Sequence, residues 1–205
     1  MTDKATVLRD LRPLLDLVHE SFEVGTGGAK EFFESRHESI EPTLAAALTR
    51  YFAGRHLRDR GQVVEEFATR DLANIGLELR YGQYIVRIWK TADGDVPPPG
   101  RSRAKQRFLS PHEQFEMEFP DFPDPECINI AVLWRVNGSY QLSDMYVARP
   151  KAMTSPYGAV ECYWCEPVLH PALVATAPIG ATEILIGDLP FELNEADEQT
   201  SEHVG

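Results

Sequence analysis

Residues 128–148, INIAVLWRVNGSYQLSDMYVA, decide the class of fold. An almost wholly apolar run leads into Asn137-Gly138, and a second apolar run follows. Asn-Gly is the pair best suited to a two-residue hairpin turn, whose central residues need positive φ. A turn at that point predicts an antiparallel pair with Val136 opposite Ser139, Trp134 opposite Gln141, Ile130 opposite Met145 and Ile128 opposite Val147. The same register sets Leu133 against Leu142, Arg135 against Tyr140 and Asp144 against Ala131. Side chains alternate between the faces of a strand. One face therefore collects Ile, Val and Trp, and the other keeps Leu133, Leu142 and Tyr146. A pair that is apolar on both faces belongs in the middle of a sheet covered on at least one side.

The covering layer lies upstream. Val7, Leu8, Leu11, Leu14, Leu15, Val18 and Phe22 recur at steps of three and four, one stripe of a helix. Pro13 predicts a kink or a restart in it. Gly25-Thr26-Gly27-Gly28 predicts its end, with a short helical piece at 30–37 to follow. Ser39-Ile40-Glu41-Pro42 reads as the start of a second helix, its proline in the first turn. Leu44, Leu48, Tyr51 and Phe52 would share one face of that helix, and Gly61 closes it. From Ile75 the period changes to two, and a hairpin is expected to turn near Tyr81-Gly82-Gln83. Asp93-Gly94-Asp95 and Pro97-Pro98-Pro99-Gly100 predict a stiff exposed linker. Further strands are expected at 159–166 and 182–186. The expectation is thus an α+β domain over 1–193, with N-terminal amphipathic helices (4–61) on a mainly antiparallel sheet of about five or six strands (64–187). An acidic flexible tail would occupy 194–205.

Hydrophobic residues make up 43% of the 205-residue chain, enough for a substantial core. No apolar run approaches the roughly 20 residues that span a bilayer. Charged residues interrupt the first leucine-rich turns, unlike a signal peptide. Three cysteines in a chain of this size do not make a secreted disulfide scaffold. These features point to a cytoplasmic protein with no membrane partner. Arginine outnumbers lysine fifteen to five, as GC-rich codons favour, which points to a bacterial or phage genome. The net charge of −12 is concentrated in 113–126 and 192–205, which contain no Lys or Arg, while the remainder is close to neutral. Such segments repel nucleic acid and disfavour it as a partner.

Chemistry-bearing motifs are few. Cys162-Tyr163-Trp164-Cys165 has the spacing of a redox dithiol or half a zinc site. Its flanks read as a strand, which would send the two thiols to opposite faces. Only Cys127 and His170 are available as further ligands, so structural, reduced and metal-free cysteines are expected. The six histidines form no i, i+4 pair, and no phosphate loop or nucleophile elbow is present. Asp144 and Glu161 lie on neighbouring candidate strands but lack the acid-x-Lys of a metal-dependent nuclease.

The remaining feature is Arg101, Arg103, Lys105 and Arg107, clustered just after the proline run. With Ser102 capping a short helix, Arg103 and Arg107 align at i, i+4 and suit an anionic group or partner. The competing reading pairs them internally with Glu113, Glu116 and Glu118. The sequence favours a non-enzymatic binding or regulatory protein, without cofactor or metal. It would act through a protein–protein interface, as in a toxin, repressor or defence system. The alternative is a metal-dependent enzyme acting on nucleic acid or another phosphate-containing substrate.

Overall fold

The structure, a computed structural model, describes residues 3–61, 67–72, 76–110 and 127–169. All of them belong to one compact unit. Two N-terminal helices, α1 (Lys4–Glu34) and α2 (Pro42–Gly61), precede strands β1 (Phe67–Leu72), β2 (Gly76–Tyr81) and β3 (Tyr84–Lys90). A short helix α3 (Arg103–Leu109) follows, then β4 (Ile128–Val136), β5 (Leu142–Met153) and β6 (Val160–Pro167). The six strands form one sheet in chain order. All neighbours are antiparallel except β3 and β4, which run parallel. This is an α+β fold on a mixed, mostly antiparallel sheet. The expected strand at 182–186 and the acidic tail lie outside the described residues.

The sheet is buried on both faces, which accounts for the apolar pattern of its central strands. Towards α1 and α2 it presents Leu77, Leu79, Val86, Ile88, Ile130, Val132, Trp134, Met145 and Val147. These meet Leu11, Leu14, Val18 and Phe22 of α1, with the Phe22 and Trp134 rings 5.2 Å apart. Towards α3 it presents Ile85, Leu133 and Ala148 against Val96, Phe108 and Leu109. Asn129 Nδ2 donates to Phe108 O at 2.9 Å and Arg87 Nη1 to Ala104 O at 2.9 Å, tying α3 to the sheet through its backbone carbonyls.

Several local expectations are met. Tyr81 pairs with Tyr84 across a two-residue turn, where Gly82 takes φ +53°. Glu41 accepts hydrogen bonds from the Thr43 and Leu44 N–H groups, so it, with Pro42, starts α2 where the sequence indicates. Ser102 accepts from Lys105 N and caps α3.

Four expectations are corrected. α1 does not stop at Gly25 but runs as one helix through both Pro13 and Gly25-Thr26-Gly27-Gly28. Gly25 and Gly28 serve helix packing. A Cβ on Gly25 would lie 2.6 Å from Thr49 O and 3.0 Å from Ala53 Cβ, and one on Gly28 3.0 Å from Phe52. The close approach of α2 leaves no room for a side chain at Gly25 and compensates for the poor helix propensity of glycine. Second, the face that α2 buries is Ala45, Ala46, Thr49, Ala53, Gly54 and Leu57, not the Leu44, Leu48, Tyr51, Phe52 stripe. Small residues let two backbones approach, while Leu44 and Tyr51 are exposed and Leu48 and Phe52 are half-buried. Third, the 93–100 segment is not an exposed linker, because Thr91, Gly94, Val96 and Pro99 are buried against the sheet.

The fourth correction concerns the β4–β5 register. Trp134 pairs with Met145, Leu133 with Tyr146 and Arg135 with Asp144, a displacement of four residues from the expected pairing. The connection spans Asn137–Gln141. Asn137 Oδ1 accepts from Ser139 N and Gln141 N, both at 3.0 Å, and Asn137 N donates to Gln141 O. Asn137 thus closes a longer loop with its side chain, and the positive φ falls on Tyr140 (+57°) instead of Gly138. An even displacement preserves the faces. A register irregularity after Arg135 then brings Leu142 opposite Val136, on the helix side with Trp134 instead of with Leu133. Strand β1 and the parallel β3–β4 contact were not expected.

Candidate functional site

The four basic residues have different surroundings. Lys105 Nζ donates to Pro98 O at 3.0 Å and sits 4.9 Å from the centre of the Trp89 ring. Burial there lowers its pKa from the ordinary lysine value. Arg101 Nε donates to Tyr157 OH at 3.1 Å. Arg103 and Arg107 stand one turn apart on α3, both exposed. Their competing partners Glu113, Glu116 and Glu118 lie outside the described residues.

The carboxylates considered for a metal are engaged elsewhere. Asp144 takes hydrogen bonds from Arg135 Nε and Nη2 and faces Arg135, not Ala131. Glu161 lies 3.4 Å from Lys151 Nζ. Among the described residues, no three His, Cys, Asp or Glu side chains group as a metal would require.

Cys162 and Cys165 share a face of β6, contrary to the simple strand expectation. Arg149 pairs with Trp164 but Pro150 with Cys162, so Tyr163 is an extra residue that reverses the alternation. Trp164 packs on the helix side, Cys162 packs on the α3 side, and Cys165 Sγ reaches Gly94 O at 3.9 Å. Burial, with Cys165 and Asp95 nearby, pushes the Cys162 thiol up to about 11. A thiol in that state is a poor nucleophile and a poor metal ligand.

One arrangement resembles a catalytic triad. His56 Nδ1 lies 2.9 Å from Ser21 Oγ, and His56 Nε2 lies 3.8 Å from Glu20 Oε1. Ser21 is wholly buried and its hydroxyl donates to Leu17 O at 2.7 Å, so its oxygen accepts from His56. The proton is committed and no substrate can reach the oxygen. The set is a bridge between α1 and α2, anchored on the buried Ser21.

Beside it a shallow groove of about 520 Å³ runs between the outer faces of α1 and α2. Val24, Gly28, Phe32 and Phe52 line its apolar part, and Glu31, Arg36, Arg55 and Asp59 its charged part. Arg36 lies over the Phe32 ring at 3.7 Å. The apolar surface continues along α2: the Tyr51 and Phe52 rings are 5.4 Å apart, and Tyr51 is 50% exposed, Val24 46% and Leu44 43%. The sequence signal for this surface is the stripe of Leu44, Leu48, Tyr51 and Phe52 on one face of α2. No protein-family model, curated protein or solved structure matches the chain.

Proposed function

We propose that the chain is a non-enzymatic cytoplasmic binding protein that takes a protein partner on the outer face of its helix pair. One observation carries this reading: Val24, Leu44 and Tyr51 are exposed on α1 and α2, and Val24 lines a groove there with Phe32 and Phe52. Apolar surface of this kind, edged by charge, is a common feature of protein interaction sites. An amphipathic segment suits such a groove, setting apolar side chains on Phe32 and Phe52 and charges against Arg55 and Asp59.

The basic segment is a second proposed contact, for acidic groups of a partner. α3 packs on the opposite face of the sheet from α1 and α2, so this contact is a separate surface.

The groove is tested by replacing Val24 and Tyr51 together with Glu. Both are exposed, so the circular dichroism spectrum and Tm should hold. Wild-type and variant chains are immobilised and exposed to an extract of the source cells. A protein retained by the wild type and lost by the variant is expected. An identical set of retained proteins on both would overturn the reading.

A further inference from the structure

Arg50 of α2 and Lys90 at the end of β3 are neighbouring cations, both half-buried. Neither forms an ion pair among the described residues. Arg50 Nε is buried without a hydrogen-bond partner. Lys90 Nζ lies 5.6 Å from the Trp134 ring centre and 5.5 Å from that of Tyr140. Burial lowers the pKa of each, and Arg50 lowers that of Lys90 further. Two like charges drawn partly out of water, with only the aromatic faces beside Lys90 and no carboxylate among the described residues to offset them, oppose folding unless something pairs with them.

The surroundings are polar on the side that matters. Tyr140 OH lies 3.4 Å from Thr49 Oγ1, and its ring is 6% exposed. Tyr140 is held at φ +57° by a loop that Asn137 closes. A bulky residue in the left-handed region is strained, and here its phenol reaches Thr49, the residue before Arg50. The nearby carboxylate, Glu41, acts on Tyr140 but accepts from the N–H groups at the start of α2 and is not among the groups acting on Arg50 or Lys90.

We propose that Arg50, Lys90 and Tyr140 form a binding site for a phosphate group where α2 meets the end of β3. Tyr140 links the two cations: its ring lies 5.5 Å from Lys90 Nζ, and its hydroxyl lies 3.4 Å from Oγ1 of Thr49, the residue before Arg50. The guanidinium N–H groups, the ammonium and the phenol O–H can all donate, and no carboxylate among the described residues pairs with either cation. Two positive charges that meet no carboxylate among the described residues match a dianion better than a monoanionic carboxylate, and arginine with lysine is a common pairing for phosphate. Because both cations remain partly exposed, the ligand has access. The site is distinct from the α1–α2 groove and does not depend on the protein-binding reading.

The probe is inorganic phosphate, compared with acetate and chloride at equal ionic strength and pH. Phosphate should raise the Tm of the full chain by a few degrees over chloride, and acetate by less. Arg50→Met and Lys90→Met should each weaken phosphate binding in calorimetry about ten- to hundredfold, as expected for loss of one charged hydrogen bond. Without phosphate their melting temperatures should hold or rise, since each removes an unpaired charge. Should either variant fail to fold, Tyr140→Phe removes only the hydroxyl and should still weaken binding. No difference between phosphate and chloride overturns the proposal, as does unchanged affinity in these variants. Acetate matching phosphate overturns the assignment of ligand class. Loss of binding in Arg103→Gln but not in Arg50→Met would move the anion to α3 and overturn the site.

Discussion

Glu78 is 3% exposed in the middle of β2, on the α3 side of the sheet. Its Oε2 accepts from Arg87 Nε at 2.9 Å and lies 2.8 Å from Arg87 Nη2, across the β2–β3 register. A buried pair of this kind adds little net stability, but breaking it strands a charge. Arg87→Met is therefore expected to cost about 3–5 kcal/mol in chemical denaturation, and the double change Glu78→Leu with Arg87→Met much less. A single variant as stable as the wild type would show that Glu78 is hydrated. Cys162 gives a second test. With its thiol pushed up to about 11 by burial, the reactive thiolate at pH 8 is about a hundredfold scarcer than in an ordinary cysteine. Its alkylation, followed by mass spectrometry, should keep accelerating until near that pH. A raised folded pKa also means that this thiol favours the folded state below its unfolded pKa of about 8.5, and that the contribution fades as pH climbs towards 11.

Helix pairing depends on which glycine is which. Gly27 has open space around its Cβ position, whereas Gly25 meets the α2 backbone. Gly27→Ala should stabilise by about 0.5–1 kcal/mol through helix propensity. Gly25→Ala should destabilise by about 1–3 kcal/mol through overpacking, despite the same propensity gain. Equal effects of the two in thermal melts would remove the close-packing account. The β4–β5 loop allows a similar contrast. Gly138 is not at positive φ and nothing crowds its Cβ position, so Gly138→Ala should be neutral or gain up to about 1 kcal/mol. A two-residue Asn-Gly turn would instead make the same change destabilising. The sequence pointed clearly to a hairpin and misled about its register, because Asn137 can serve either a positive-φ turn or a side-chain bridge across five residues. α2 was misread for a related reason: periodicity reports that a helix has a large apolar face and a small one, but not which of them meets α1.

At the scale of the molecule, a sheet covered on both faces separates two surfaces, the α1–α2 groove and the basic α3. Reversing Arg103 and Arg107 to Glu should leave Tm within about a degree, since exposed charges contribute about 0–1 kcal/mol per pair. It should also weaken binding of an anionic partner, and the effect should shrink with added salt. A lowered Tm that compensating Glu-to-Lys changes at 113, 116 and 118 restore would instead show internal pairing. What the sequence alone determined is the part of the fold governed by local periodicity and local chemistry. That part comprises the α+β class, the Glu41-Pro42 helix start, the Ser102 cap, the Gly82 turn, and which residues of β4 face each side. Those signals act over a few residues, where backbone geometry permits few alternatives. Tertiary structure decided whether Gly25-Thr26-Gly27-Gly28 breaks a helix or packs one, and which face of α2 is buried. It also decided how far β4 and β5 slide, and that Tyr140 lies between Lys90 and Thr49. Each of these depends on what stands opposite, a residue tens of positions away along the chain. No local pattern encodes that distance.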